Sequence, residues 1–499
     1  MFDPTSRPEL LRLLEAPTGS LRRLHPIAIA LLIAGCPGDG GDDGSMGESG
    51  VATAGSTGAM DSSGGPLDTG STGNGPTTDG PTATGDDSSS GEETSETTGI
   101  PETCGDGEVQ PPEACDDANP VDADGCNTDC TVSGSVLFEH SQASMMGTDR
   151  AFGVGVDSMG NAYVGGEIAQ ATTDAWLRRY GPDDSLGFTL VVDAGASDGV
   201  RGVAARSSGT TVSGYLGADL FVRSYDDAGN QSWADVYNGP ANGGDVGHAI
   251  AVDAMGNAIV AGHHTVHYFD GVSNIAHNDV FVRKYGPTGA VSWTQTYGGP
   301  INTGQDQARG VATDGAGNVI VAGWESVSGA GRNVWVRKYD PAGGVLWTQG
   351  YAGPEGLDDW ANAVAVGPDD TIVVAGLEQQ MVVPNTLWMR KYDPDGNELW
   401  TEAWPGDTSE GAQALGVAVD DAGDIVTTGQ AVTAGIGDLF VRKHDPDGNL
   451  KWSTVIPSLG GANGVGRDVT IAPNQRVWVV GERNLGVDGP DIYVARLAQ

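Results

Sequence analysis

Residues 134–499 predict an all-β architecture: a ring of seven repeated sheets. Three observations carry this. First, the residue after the leading apolar strand of each unit aligns as Asp157, Arg206, Asp253, Asp314, Gly367, Asp420 and Ala472, at intervals of 49, 47, 61, 53, 53 and 52. Second, each unit holds four short apolar stretches separated by Gly, Pro, Asn and Asp, the residues that supply turn geometry. Third, the last unit stops at Ile492–Leu497, its third strand, and the missing fourth strand stands ahead of the first unit as Gly134–His140, which matches Gly289–Gln295. Four strands per repeat at this period describe a blade of a seven-bladed β-propeller. N- and C-terminal strands sharing one blade would close the circle and remove two exposed edges.

Within one unit the elements read in order. Gly310–Thr313 is a small-residue strand, followed by a Gly/Asn turn and the β-branched strand Asn318–Gly323. Val334–Tyr339 is the third strand, Asp340–Gly343 its turn, and Val345–Thr348 the fourth strand. Asp393–Asn397 and Asp445–Asn449 look like calcium loops, but they occupy this same hairpin position, so they read as β-turns with Pro at the second position. The 61-residue interval places an insertion in blade three.

Charge divides the rest of the chain. The protein has 67 acidic and 25 basic residues and a net charge of −42. Residues 37–133 hold 21 of the acids, no Lys or Arg, and no aromatic residue. All twelve Trp lie between Trp176 and Trp478, so a core can form only in the last part. Residues 37–103, rich in Gly, Ser, Thr, Asp and Pro, cannot bury enough apolar surface to offset the entropy of ordering and read as a disordered tether. A coil of that length spans ~40–50 Å.

Residues 1–36 place Arg22 and Arg23 ahead of the apolar run Ile27–Ala34, too short to cross a bilayer and proportioned as a signal-peptide core. The run ends Leu32-Ile33-Ala34-Gly35-Cys36, which resembles a bacterial lipobox. That resemblance implies lipidation of Cys36, cleavage before it, and a cell-envelope location, with an outer-membrane lipoprotein facing the surface or the periplasm as the expected form.

Residues 104–133 contain Cys104, Cys115, Cys126 and Cys130. Of the chain's five cysteines these four remain after the lipobox residue, enough for two disulfides in an oxidising compartment, with three connectivities open. The run CGDGEVQPPEACDDANPVDADGCNTDC resembles the myxobacterial cysteine-rich disulfide repeat, with Pro112 and Ala118-Asn119 departing from its pattern. Asp116, Asp117, Asp122, Asp124 and Asp129 crowd this module. Hard oxygen ligands at short spacing suit Ca2+, and the competing reading is side chains capping turns.

The repeat units resemble the seven-bladed β-propeller (SBBP) repeat family, on D-x-x-GN-x-YVAG followed by F-V-x-K-Y-D-P-x-G-x-x-x-W. The match is strongest at Asp253–Gly262 with Asp279–Trp293 and at Asp314–Gly323 with Trp335–Trp347. Arg206 and Ala472 depart from it in repeats two and seven. The resemblance implies architecture and no single activity.

Candidate sites follow from what repeats and what does not. Arg178, Arg223, Arg283, Arg337, Arg390 and Arg442 recur at one position and read as interblade structure. Asp149, Asp198, Asp245, Asp306 and Asp359 recur where the innermost strand begins and read as turn caps. Three residues on, the repeats diverge to Phe152, Arg201, His248, Arg309, Asn362, Leu415 and Arg467. That position should border the axial channel, so Arg201, His248, Arg309, Asn362 and Arg467 are the candidate ligand contacts. His248, His263, His264, His267 and His277, five of the eight histidines, fall within 30 residues and are expected on one face. Neutral imidazoles suit a transition metal, with Asp270 or Asp279 as a further ligand. Gly195–Gly199 matches G-x-S-x-G without the strand-to-helix turn that a nucleophile elbow needs.

The acidity argues against nucleic-acid recognition and against adsorption to an anionic membrane, leaving the lipid anchor as the membrane contact. No Lys follows a Gly and no His precedes a Glu, so a Walker lysine and HExxH are both absent. The sequence therefore reads as an envelope lipoprotein whose propeller is a non-catalytic binding module for protein or glycan, with no cofactor assigned for certain. Its rivals are a hydrolase or lyase at the channel mouth using His248 and Asp245, and a structural envelope component.

Overall fold

A computed structural model describes residues 104–111, 113–143, 147–382, 385–458, 463–484 and 489–499. The signal segment, Cys36 and the tether lie outside the described residues. Among the described residues the structure is all-β, in seven four-stranded antiparallel sheets, and no helix is long and apolar enough to cross a membrane.

Each sheet is one blade. Blade four is typical, with Gln307–Thr313 innermost, then Val319–Val327, Gly331–Tyr339 and Val345–Tyr351 outermost. Innermost strands of successive blades touch in order, and that of blade seven, Val465–Ile471, touches that of blade one, Arg150–Val156. Blade seven is completed by the N-terminal strand Val136–Gln142, paired antiparallel with Pro490–Leu497. The seam is reinforced by Tyr493, whose hydroxyl donates to Glu139 at 3.1 Å, and by Asp468 of blade seven, which accepts the Val154 amide of blade one at 2.9 Å. Burial pushes the Asp468 carboxyl up to about 7, although those amide contacts oppose the shift.

The core lies between blades. Ile259, Ala261, Val280 and Val282 of blade three pack against Val311, Val319, Val321 and Trp335 of blade four in one such cluster. A sheet covered on both faces needs apolar residues at every position, which is why Val319–Ala322 and Ile372–Ala375 are uninterrupted where a half-buried strand would alternate. The outermost strands alternate between exposed and half-buried residues.

The lysines, which the repeat pattern alone left without a role, are structural. Lys284 lies 2.9 Å from Asp253, Lys338 2.9 Å from Asp314, and Lys443 3.0 Å from Asp420, each pair buried between the first turn and the third strand. In blade two, where Arg206 replaces the Asp, Ser224 stands in place of the Lys.

The disulfides are Cys104–Cys130 and Cys115–Cys126, a nested pairing. The module docks on blade seven through an ion pair between Asp129 and Arg476 in that blade's first turn. Ala123 is buried in the cluster formed by Val426, Val477 and Leu497.

Candidate functional site: the axial mouth

Every innermost strand carries a β-bulge near its start, and the bulged residue is the divergent one in each blade. Register slips between Ala151 and Gly153, Val200 and Gly202, Gly247 and Ala249, and Ala308 and Gly310. The same slip falls between Ala361 and Ala363, Ala414 and Gly416, and Gly466 and Asp468. A bulge takes one residue out of the ladder and re-aims its side chain. The glycine that ends the second-strand motif makes room for it. A Cβ at Gly323 would sit 1.9 Å from the Gln307 carbonyl oxygen, and one at Gly262 would sit 1.9 Å from that of Val246.

The residue after that glycine also varies among the blades, and sequence reasoning missed it. These residues are Glu167, Tyr215, His263, Trp324, Leu377, Gln430 and Glu482. Five of them, Glu167, Tyr215, His263, Trp324 and Glu482, contact bulge residues. Arg201 lies 3.6 Å from Glu167, with its guanidinium 3.8 Å from the Phe152 ring centroid and 5.3 Å from that of Tyr215. His248 Nε2 is 3.0 Å from His263 Nδ1. Arg309 stacks 4.6 Å over Trp324. Arg467 grips Glu482 through two contacts, of 2.6 and 3.0 Å, and lies 5.6 Å from the Phe152 ring. Asn362 donates to the Ala414 carbonyl at 2.9 Å, bridging blades five and six. The missed signal was variation directly after an invariant glycine in otherwise uniform repeats.

Electrostatically the mouth is cationic inside an acidic protein. Burial, then the charges of Arg201, Arg332 and Arg467, push Arg309 down to about 9. Burial, then Arg309, His263 and Arg201, hold His248 well below its ordinary value. Burial, with Arg309 and His264, lowers His263 to about 3. Both imidazoles are therefore neutral at pH 7, and the positive charge resides on the guanidiniums.

The five blade-three histidines do not share one face. Side chains alternate along a strand, and the paired strands Ala258–Phe269 and Asn274–Tyr285 extend to 12 residues each. His263 turns to His248, while its neighbour His264 faces the other way, 3.1 Å from the Tyr237 hydroxyl. His277, opposite Val266, lies 3.4 Å from Asp279. His267 borders a shallow cleft of about 270 Å³ with Tyr268, His277 and Asp279. Among the described residues no three of these histidines bring ligand atoms together within 4.8 Å.

Asp245 and His248 are not joined. The two Asp245 oxygens accept the backbone amides of Gly239 and Thr265. Asp198 and Asp306 are used in the same way, by Ala194 and Gly217 and by Gly299 and Ser326, so this recurrent acid is a turn cap. The recurrent arginines are interblade contacts. Arg337 donates to Thr348 at 2.8 Å and stacks 4.1 Å over Tyr297 of the preceding blade, and Arg390 repeats this with Thr401 and Tyr351. In the cysteine module Asp116 accepts the amides of Gly105, Asp106, Gly107 and Ala118, and Asp122 accepts that of Thr128. Glu113, Asp116 and Cys130 approach one another, but the Cys130 sulfur is committed to its disulfide.

No family model matches the chain, and no curated protein matches it. Solved structures do. The Dos1 propeller is 10% identical with a TM-score of 0.43, covering 73% of this chain and 95% of that one. Sqt1 from Chaetomium thermophilum is 11% identical with a TM-score of 0.44, covering 73% and 98%. A gluconolactonase from Xanthomonas campestris is 15% identical with a TM-score of 0.32, covering 56% and 82%. The fold of this chain is a seven-bladed β-propeller, described by its own seven sheets.

Proposed function

We propose that the chain is a lipid-anchored binding module of the bacterial envelope, whose propeller holds a protein or glycan noncovalently at the axial mouth. One observation carries this reading. The two positions that vary among the blades, the bulge residue and the residue after the second-strand glycine, meet at one end of the axis, while the repeated charges are consumed inside the scaffold. Ligand sites in repeat scaffolds arise where units differ, because positions that keep the ring closed cannot vary freely. Supporting the display role, the cysteine module docks beside Arg476, in a turn at the face opposite the mouth. The resemblances to a lipobox, to SBBP repeats and to the myxobacterial cysteine repeat fit an exported, disulfide-forming protein.

The test is glycan-array and immobilised-protein binding with the full chain, comparing Trp324→Ala at the mouth with Asp395→Ala in an opposite-face turn. Loss of binding in the first alone supports the reading; equal binding by both variants refutes it. Cys36→Ser should release the protein into the medium and abolish labelling by radioactive palmitate. Retention in the membrane fraction would refute the anchor.

A further inference from the structure

This inference rests on the binding reading above and names the chemistry of the ligand. Three bulge residues are arginines, and they stand in blades two, four and seven, so they approach the axis from different sides. Two of them have acidic partners, Arg201 with Glu167 and Arg467 with Glu482. Glu167 is shared further, with Arg150 at 3.4 Å and the Tyr215 hydroxyl at 2.9 Å. Arg309 has none. Among the described residues no carboxylate lies within ion-pair distance of it, its Nε is buried without a hydrogen-bond partner, and its guanidinium stacks on the Trp324 ring. Arg332 stacks on the same ring at 5.7 Å and on Trp360 at 5.4 Å, adding a further positive charge nearby.

An uncompensated guanidinium between like charges, in a chain of net charge −42, is a costly arrangement that any bound anion would relieve. We propose that the axial mouth binds a carboxylate group of a small ligand, received by Arg309 and flanked by Arg201 and Arg467. Guanidinium presents a planar fork that matches a carboxylate with two parallel hydrogen bonds. The acidic remainder of the propeller disfavours a polyanion, whose further charges would lie against it, so the ligand carries its charge in one place. A uronic acid at a glycan end has this form.

The experiment is isothermal titration calorimetry on the full chain at low ionic strength, with sodium glucuronate, sodium succinate and methyl glucoside as probes. Glucuronate should bind, methyl glucoside should not, and Arg309→Gln should weaken glucuronate at least tenfold. Arg309→Lys, which keeps the charge and loses the fork, should bind with intermediate affinity and covers the case in which the glutamine variant misfolds. Arg178→Gln, an interblade arginine, should leave affinity unchanged. Succinate binding as tightly as glucuronate identifies a carboxylate site without sugar selectivity and still supports the proposal. Absence of heat from both carboxylates at millimolar concentration, or undiminished glucuronate binding by a folded Arg309→Gln, overturns it. Should a neutral glycan or protein still bind at the mouth in that case, the anion inference falls and the binding module stands.

Discussion

Removing Lys338 should show that the propeller is braced by buried ion pairs that blades three, four and six carry. Lys338 Nζ lies 2.9 Å from Asp314, with the two side chains 5% and 2% exposed. It also donates to the Pro394 carbonyl of the next blade at 3.0 Å. At an effective dielectric of ~20, charges at this separation attract by about 6 kcal/mol, and desolvating them costs several kcal/mol per ion. The intact pair is therefore close to neutral, but leaving one partner buried alone costs about 3–5 kcal/mol. Burial opposes ionisation of Asp314, yet bonds from Asn318 and Lys338 outweigh it and hold the carboxyl below its ordinary value. Lys338→Met should thus destabilise by ~3–5 kcal/mol at pH 7. Asp314→Asn should cost less, because the amide oxygen can keep the Asn318 and Ala316 amides. The double variant should be more stable than the sum of the singles implies, by about 2 kcal/mol or more. Urea unfolding followed by Trp fluorescence and far-UV circular dichroism reads all four proteins at matched m-values. A coupling under about 0.5 kcal/mol would refute the brace. Since the Asp314 carboxyl is depressed in the fold, the wild type loses this contribution as pH falls through that folded value, while Lys338→Met has already lost it at neutral pH.

Three further outcomes are expected. Gly323→Ala should destabilise by about 2–4 kcal/mol and loosen ligand binding at the mouth, because its Cβ collides with the Gln307 carbonyl that the bulge brings close; a melting temperature equal to wild type would contradict the bulge argument. His263, lowered to about 3 in the fold, refuses a proton that the unfolded chain accepts below about pH 6.5, so stability falls between those values at up to ~1.4 kcal/mol per pH unit. His263→Gln should flatten that limb relative to wild type, and an unchanged slope in pH-series denaturation would remove the neutral imidazole pair from the account. Replacing Cys104 and Cys130 by Ser should free the module from blade seven, read as faster amide exchange at Ala123 and Thr131, while the propeller melts within a few degrees of wild type.

The blade count, the shared closing blade, the cysteine pairing capacity and the divergent position on each innermost strand were legible in the chain because each leaves a local mark. Turn residues at fixed offsets mark the strands, and duplicated units expose Arg201, His248 and Arg309 as deviations from a common pattern. The second variable position, at Glu167, Trp324 and Glu482, is equally present in the sequence, but only the geometry that sets it beside the bulge marks it as part of the mouth.

What the chain determined by itself is periodicity, since strand, turn and blade arise from nearest neighbours and repeat where the residues repeat. Tertiary structure alone decided what lies across blades or across a strand. It paired Cys104 with Cys130, seated Lys338 between Asp314 and Pro394, and split the blade-three histidines between opposite faces. Among the described residues it also left Arg309 without a carboxylate in ion-pair range and its Nε without a hydrogen-bond partner. Those outcomes depend on contacts between residues 15 to 56 positions apart, which the packing of strands and blades sets and no local pattern encodes.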